Sequence, residues 1–155
     1  MNLIKTALLA LGLSALALPA ALAACGGSRD TVTRSPQGPA EINHLISRYA
    51  RIYDIPESLI HETVARESGY NPAARNGPYY GLMQIHPQTA RTMGFRGDPS
   101  DLLDAETNLI YAGKYLRGAW LVSRGSHDRA HMWYRKGYYY EAKRMGLLEE
   151  TGLRG

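Results

Sequence analysis

The chain has a single cysteine, Cys25, so no intramolecular disulfide can staple it. That cysteine precedes every segment with folding periodicity, which removes a cysteine nucleophile as well. There is no glycine loop of the kind that cradles phosphate, which argues against a P-loop nucleotide enzyme. His61-Glu62 opens like a zinc-protease motif, but position 65 is Ala65 and the second histidine ligand is missing. His127 and His131 lie four apart, and two histidines alone do not make a zinc site. No metal and no cofactor are expected. The net charge of +4 comes without a dense basic stripe, which speaks against nucleic acid as a partner. A charge of this size suits simple solubility or approach to an anionic envelope polymer or membrane. No internal repeat is visible.

Long apolar runs are also scarce. The one at residues 7–18 falls short of the roughly 20 residues a membrane span needs, and Pro19 interrupts it. Lys5 precedes the run and small residues follow it, so residues 1–24 read as an export signal. Leu22-Ala23-Ala24-Cys25 resembles the lipobox of bacterial lipoproteins, in which the cysteine becomes the lipidated first residue. The resemblance implies lipidation at Cys25, with membrane attachment through that lipid. The alternative is an ordinary signal cut after Ala23 or Ala24. Gly26 rather than Asp follows, and lipoprotein sorting rules then imply the outer membrane. The expected product is an exported, periplasm-facing lipoprotein.

The mature chain, about 130 residues, is one domain in size and must be held by an apolar core. Residues 25–39 are rich in Gly, Ser, Pro and Thr and read as a flexible tether. Residues 40–150 read as one mainly helical domain. Ile42, Leu45, Ile46, Tyr49, Ile52 and Tyr53 recur at helical spacing. Asp54-Ile55-Pro56 interrupts, with Pro56 suited to starting a second helix whose buried stripe is Leu59, Ile60 and Val64. Asn71-Pro72, Asn76-Gly77-Pro78 and Gly81 mark residues 69–87 as a loop, with a short β-like excursion at 79–85. A short helix at 88–93 stops at Gly94. Asp101 or Asp104 caps a long helix with Leu109, Ala112, Leu116 and Trp120 inside. Ser126 or Asp128 caps the next, Gly137 breaks it, and a last helix runs over 139–148.

Chemistry concentrates at Glu67. It shares a helix face with Ile60 and Val64, so its carboxylate points toward the apolar side. Partial burial raises a carboxyl pKa, which a general acid for a glycosidic oxygen needs. The plainer alternative is an ion pair with Arg66 or Arg75 at a helix end. Glu57, in the first turn of its helix, and Glu62, on a different face, are expected to be solvated.

Glu67-Ser68-Gly69-Tyr70-Asn71-Pro72-Ala73-Ala74, then Gly81-Leu82-Met83-Gln84-Ile85 and Pro87-Gln88-Thr89-Ala90, resemble the lytic transglycosylase domain of the soluble-lytic-murein-transglycosylase type. Asn108, Gly113 and Tyr115-Leu116 resemble that family's Asn-Ile-x-x-Gly-x-x-Tyr-Leu helix, and Ile55-Pro56-x-x-Leu59 its entry to the catalytic helix. The resemblance spans roughly residues 40–146. It implies a mainly α, lysozyme-like fold with a saccharide-binding cleft. It also implies cleavage of the β-1,4 bond between N-acetylmuramic acid and N-acetylglucosamine in peptidoglycan. Glu67 maps onto the catalytic acid. Gln84 would line the cleft, or fix the loop backbone. Ser68 would bond an N-acetyl group, or cap its helix. Tyr134 maps onto the Tyr of an Ala-Tyr-Asn-x-Gly segment and would help orient Glu67, or pack the core. Tyr79 and Tyr80 would offer a flat aromatic face to a sugar, or pack the loop.

No second acid carries a motif, although Asp98, Asp101 or Asp104 could fold into the cleft. A transglycosylase needs none, because its nucleophile is the substrate's own hydroxyl. Three departures from the family pattern stand out: a 73–80 loop one residue short, Arg135 in place of Asn, and His86 in place of a common Met. They leave two rivals, a hydrolytic muramidase of the same fold and a lipoprotein that binds peptidoglycan without turnover. Service to an envelope-spanning machine is a further reading that depends on partners.

Overall fold

A computed structural model describes residues 38–153; the expected signal, Cys25 and nearly all of the expected tether lie outside them. Among the described residues, six helices and one minimal hairpin run in the order α1 (Ala40–Tyr53), α2 (Glu57–Ser68), β1 (Arg75–Asn76), β2 (Tyr79–Tyr80), α3 (Pro87–Thr92), a 3-10 turn (Pro99–Leu103), α4 (Ala105–Ser123), α5 (His127–Lys136) and α6 (Tyr139–Met145).

Each boundary has a local cause. Asn43 exchanges two hydrogen bonds with Gly38 and so ties down the start of α1. Pro56 sits just outside α2 rather than in its first turn. At the other end of α2, Gly69 takes a left-handed φ of 57° and its N–H donates to the Ala65 carbonyl. Asp104, not Asp101, caps α4 through the Thr107 N–H. Asp101 instead closes a capping box with Asp98 on the 3-10 turn. Ser126, not Asp128, caps α5. The last helix ends at Met145, with Gly146 left-handed behind it, three residues earlier than its pattern indicated.

The long helix α4 is the spine. Leu109, Ala112, Leu116, Ala119 and Val122 are buried along it, and α5, α1, α3 and α6 pack around it. Ile46, Leu59, Ile60 and Val64 complete the core from α1 and α2 at full burial. Each such aliphatic side chain contributes roughly 1.5–3 kcal/mol. No helix among the described residues is long and apolar enough to cross a membrane.

The 69–87 segment is the one part that helical periodicity cannot organise. Its β1–β2 hairpin pairs Arg75 with Tyr80 and Asn76 with Tyr79, and an isolated bridge joins Tyr80 to Ile85. Between Tyr80 and Ile85 the chain doubles back through Gly81-Leu82-Met83-Gln84, closed by the Gln84 N–H on the Gly81 carbonyl.

Candidate active site

Three helices hold the Gly81–Gln84 turn by its backbone. Ser68, at the end of α2, donates its hydroxyl to the Leu82 carbonyl at 2.7 Å. Asn108, fully buried on α4, accepts from the Met83 N–H at 2.9 Å and donates to the Tyr80 and Leu102 carbonyls at 2.8 Å each. Tyr134, on α5, donates to the Met83 carbonyl at 2.8 Å. The Leu82 and Met83 carbonyls and the Met83 N–H are thereby satisfied without water, as buried backbone groups require. Gly81 has a φ of 76°, and a Cβ there would run into the Leu102 carbonyl and the Asn108 amide. Gln84 also takes a left-handed φ, 47°, unusual for a residue with a side chain. Its own amide holds it there by donating to the Ala74 and Gly81 carbonyls at 3.1 and 2.9 Å.

Glu67 closes α2 one residue before the Ser68 anchor. Ile60 and Val64 are fully buried on the same face and Glu67 is half-buried above them. Burial raises its pKa from the ordinary 4.5; the Arg135 and then the Arg66 guanidinium oppose that rise without cancelling it. Among the described residues Glu67 has no ion pair, and the pairing with Arg66 or Arg75 does not form. Arg75 instead donates to the Tyr80 hydroxyl at 2.8 Å, its guanidinium 4.4 Å from that ring's centre.

Three adjoining depressions of about 660, 490 and 280 Å³ share Tyr134 and Arg135 and together form a groove. Glu67 lies in the first two, at the junction. Gln84 and Tyr79 line the second and third. Tyr80 and Ser68 do not line the groove: Tyr80 lies under Arg75, and Ser68 faces the turn. His86 also lines the third depression; its Nδ1 accepts from the Gln88 N–H, and its ring meets Tyr79 edge-on at 5.9 Å. Arg135 does not displace Tyr134, whose hydroxyl reaches Met83 while Arg135 faces the groove on the next residue of α5.

Asp98, Asp101 and Asp104 lie away from Glu67. The first two cap the 3-10 turn, and the last two line a separate depression with Phe95 and Tyr111. The carboxylate that does join Glu67 in the 660 Å³ depression is Asp128, exposed in the first turn of α5. It carries no local motif, so nothing but helix phase could have found it: Asp128 and Arg135 are two turns apart on one face.

Glu62 is part-buried and paired rather than simply solvated, contrary to expectation. Its carboxylate accepts from His127 Nδ1 and His131 Nε2, each at 3.1 Å at closest, and this joins α2 to α5 beside the groove. Burial pushes Glu62 up, but the hydrogen bonds from the two histidines outweigh it and its pKa falls below 4.5. His131 lies below 6.5, because burial disfavours its cation more than Glu62 favours it. Both shifts act in one direction. The unfolded chain binds protons that the folded chain resists, so stability is complete above about pH 6.5 and falls on acidification. It is lost first through His131, then as pH drops through the lowered Glu62 value. Melting temperature measured from pH 7.5 to 4 should decline, with a flatter profile between 6.5 and 5 in His131→Gln.

A mainly helical body with an open groove and a half-buried carboxylate at the end of a helix is a lysozyme-like domain. More narrowly, the chain belongs to the family of the transglycosylase SLT domain, whose model matches residues 44–144. It is also similar to the soluble lytic murein transglycosylase of Salmonella typhimurium strain LT2, 36% identical over 87 residues. That stretch covers 51% of this chain but 13% of the relative, so the chain matches a small part of the relative's length. No solved structure matches at the same level of significance.

Proposed function

We propose that the domain is a peptidoglycan lytic transglycosylase with Glu67 as its single acid–base group. Family membership sets the reaction class. The observation that carries the assignment within this chain is a half-buried carboxyl of raised pKa, free of protein partners, at the junction of the groove. Protonated Glu67 donates to the glycosidic oxygen between N-acetylmuramic acid and N-acetylglucosamine. The leaving sugar departs with that proton. Glu67, now ionised, takes the proton of the C6 hydroxyl on the same muramic acid, and that oxygen closes on C1. A 1,6-anhydro end forms, Glu67 is protonated again, and no water is consumed.

Ser68, Asn108 and Tyr134 act in this scheme as positioning residues, since each bonds the Gly81–Gln84 turn. Gln84 and Tyr79 face the groove, and the Tyr79 and His86 rings line it as aromatic surface for a sugar. A hydrolytic reading rests on Asp128, which supplies a second carboxylate in the groove, as a water-activating base would require. Mass analysis of fragments released from purified peptidoglycan separates the readings. Anhydro ends are expected. Reducing ends would transfer the second role to Asp128, and binding without release would favour a peptidoglycan-binding protein.

The signal-like residues 1–24 and the lipobox-like Cys25 support, in the same proposal, a location outside the cytoplasm on a lipid anchor. The mass of the mature N-terminal fragment tests this: it should begin at Cys25 and carry acyl chains.

A further inference from the structure

Neutral sugar hydroxyls and acetamides need no full positive charge to hold them, yet Arg66, Arg135 and Lys136 line the depression around Glu67. All three are exposed, and among the described residues none has an ion pair or a hydrogen-bonded side chain. Several other cations of the domain are committed: Arg48 to Glu106, Arg144 to Glu141, Arg129 to the Ser123 carbonyl, Arg75 to Tyr80. Arg135 is central among the free ones, because it lines all three depressions of the groove. Its position carries a cost. It is the strongest opposing charge on the Glu67 proton, so in the empty groove it weakens the case for a protonated acid. An anion brought by the substrate would cancel that field and raise the Glu67 pKa further.

We propose that Arg135, flanked by Arg66 and Lys136, is a specificity-determining residue that holds a carboxylate of the glycan strand. This rests on the glycan reading of the groove and extends it to the charge of the substrate. Two chemical sources offer the carboxylate: the lactyl group of muramic acid where no peptide is attached, and the stem peptide where one is. Arg is suited to either, since its fork can meet both carboxylate oxygens. Binding and protonation are then coupled, because the carboxylate that docks on Arg135 also relieves Glu67 of its strongest opposing charge.

The test measures binding to full chains carrying Glu67→Gln, with and without Arg135→Gln, so that turnover does not intrude. Three ligands are compared: strands with stem peptides, strands stripped of them, and an N-acetylglucosamine oligomer without carboxylates. The expected result is a preference for one of the two anionic strands over the neutral oligomer. Arg135→Gln should cut that preference roughly 10- to 100-fold, the span of a charge-assisted hydrogen bond, and blunt its salt dependence. Arg135→Lys should keep part of it. The preferred strand identifies which carboxylate is held.

In turnover by the parent and Arg135→Gln, the alkaline limb of kcat/KM should move to higher pH in the variant, because a cation facing Glu67 is gone. The other charged or titratable groups at that place, Arg66, Asp128, His131, Tyr134 and Lys136, are unchanged between the two. Equal loss across all three ligands, or no preference in the parent, would overturn the proposal and leave the glycan reading intact. Failure to bind any of the three would overturn both.

Discussion

Glu67→Gln should lower the release of glycan fragments by about 10³-fold, within the span that loss of a general acid–base group produces. One carboxyl serves both proton transfers in the proposed reaction, so no neighbour takes over half of the work. The substitution keeps the shape and adds no charge. Glu67 holds no ion pair in the folded domain, and its raised pKa shows that burial already disfavours its ionised form. The variant should therefore melt within about 1 kcal/mol of the parent, the range of a change that breaks no buried contact. Fragment release and a thermal melt on the same preparation check both halves. The parent's rate should fall with rising pH through the raised Glu67 value, because the acid must start protonated. Retained release in Glu67→Gln would remove the residue from the mechanism.

Asn108→Ala should cost the most stability of any single polar substitution in the domain. Asn108 is fully buried, and its amide bonds Met83 in the Gly81–Gln84 turn, Tyr80 just before it and Leu102 in the 3-10 turn, which pins all three to α4. Truncation leaves the Met83 N–H and the Leu102 carbonyl without a partner, while the Tyr80 carbonyl keeps the Ile85 N–H. At about 1–3 kcal/mol for each orphaned group, with some water entry, a loss of about 3–5 kcal/mol is expected. That is a large share of the roughly 5–15 kcal/mol that holds a domain of this size. A urea titration of parent and variant gives the difference from the midpoints. Activity should fall further than stability explains, because the same turn also receives Ser68, next to Glu67, and Tyr134. A melt unchanged from the parent would show that the turn is held by other means.

Helix positions were legible because their signals are local. Apolar spacing on α1, α2 and α4, the Gly69 and Gly137 stops, and the turn residues between 71 and 81 each act within a few residues of themselves. Glu67 was legible for the same reason: its phase relative to Ile60 and Val64 is a property of one helix. Where two caps competed, as at Asp101 against Asp104, Asp101 was taken up by a 3-10 turn the pattern did not show, and Asp104 was left to cap α4. Glu62 was misread because its partners lie 65 and 69 residues away. Its helix phase indicated a different face from Glu67, and the partner helix on that face was invisible.

The groove itself belongs to the second kind. Ser68, Asn108 and Tyr134 are far apart in the chain, and each bonds the backbone of one four-residue turn. Backbone acceptors carry no residue identity, so no pattern in the sequence points from Tyr134 to Met83. By itself the sequence determined the helices, the family and Glu67 as the candidate acid, because periodicity, capping and a contiguous motif are short-range properties. Only the tertiary structure decided which side chains hold the turn, that Asp128 shares the groove, and that Arg135 faces Glu67 across it. Those are distances between α2 and α5, and they exist only once α4 has packed against both the turn and α5.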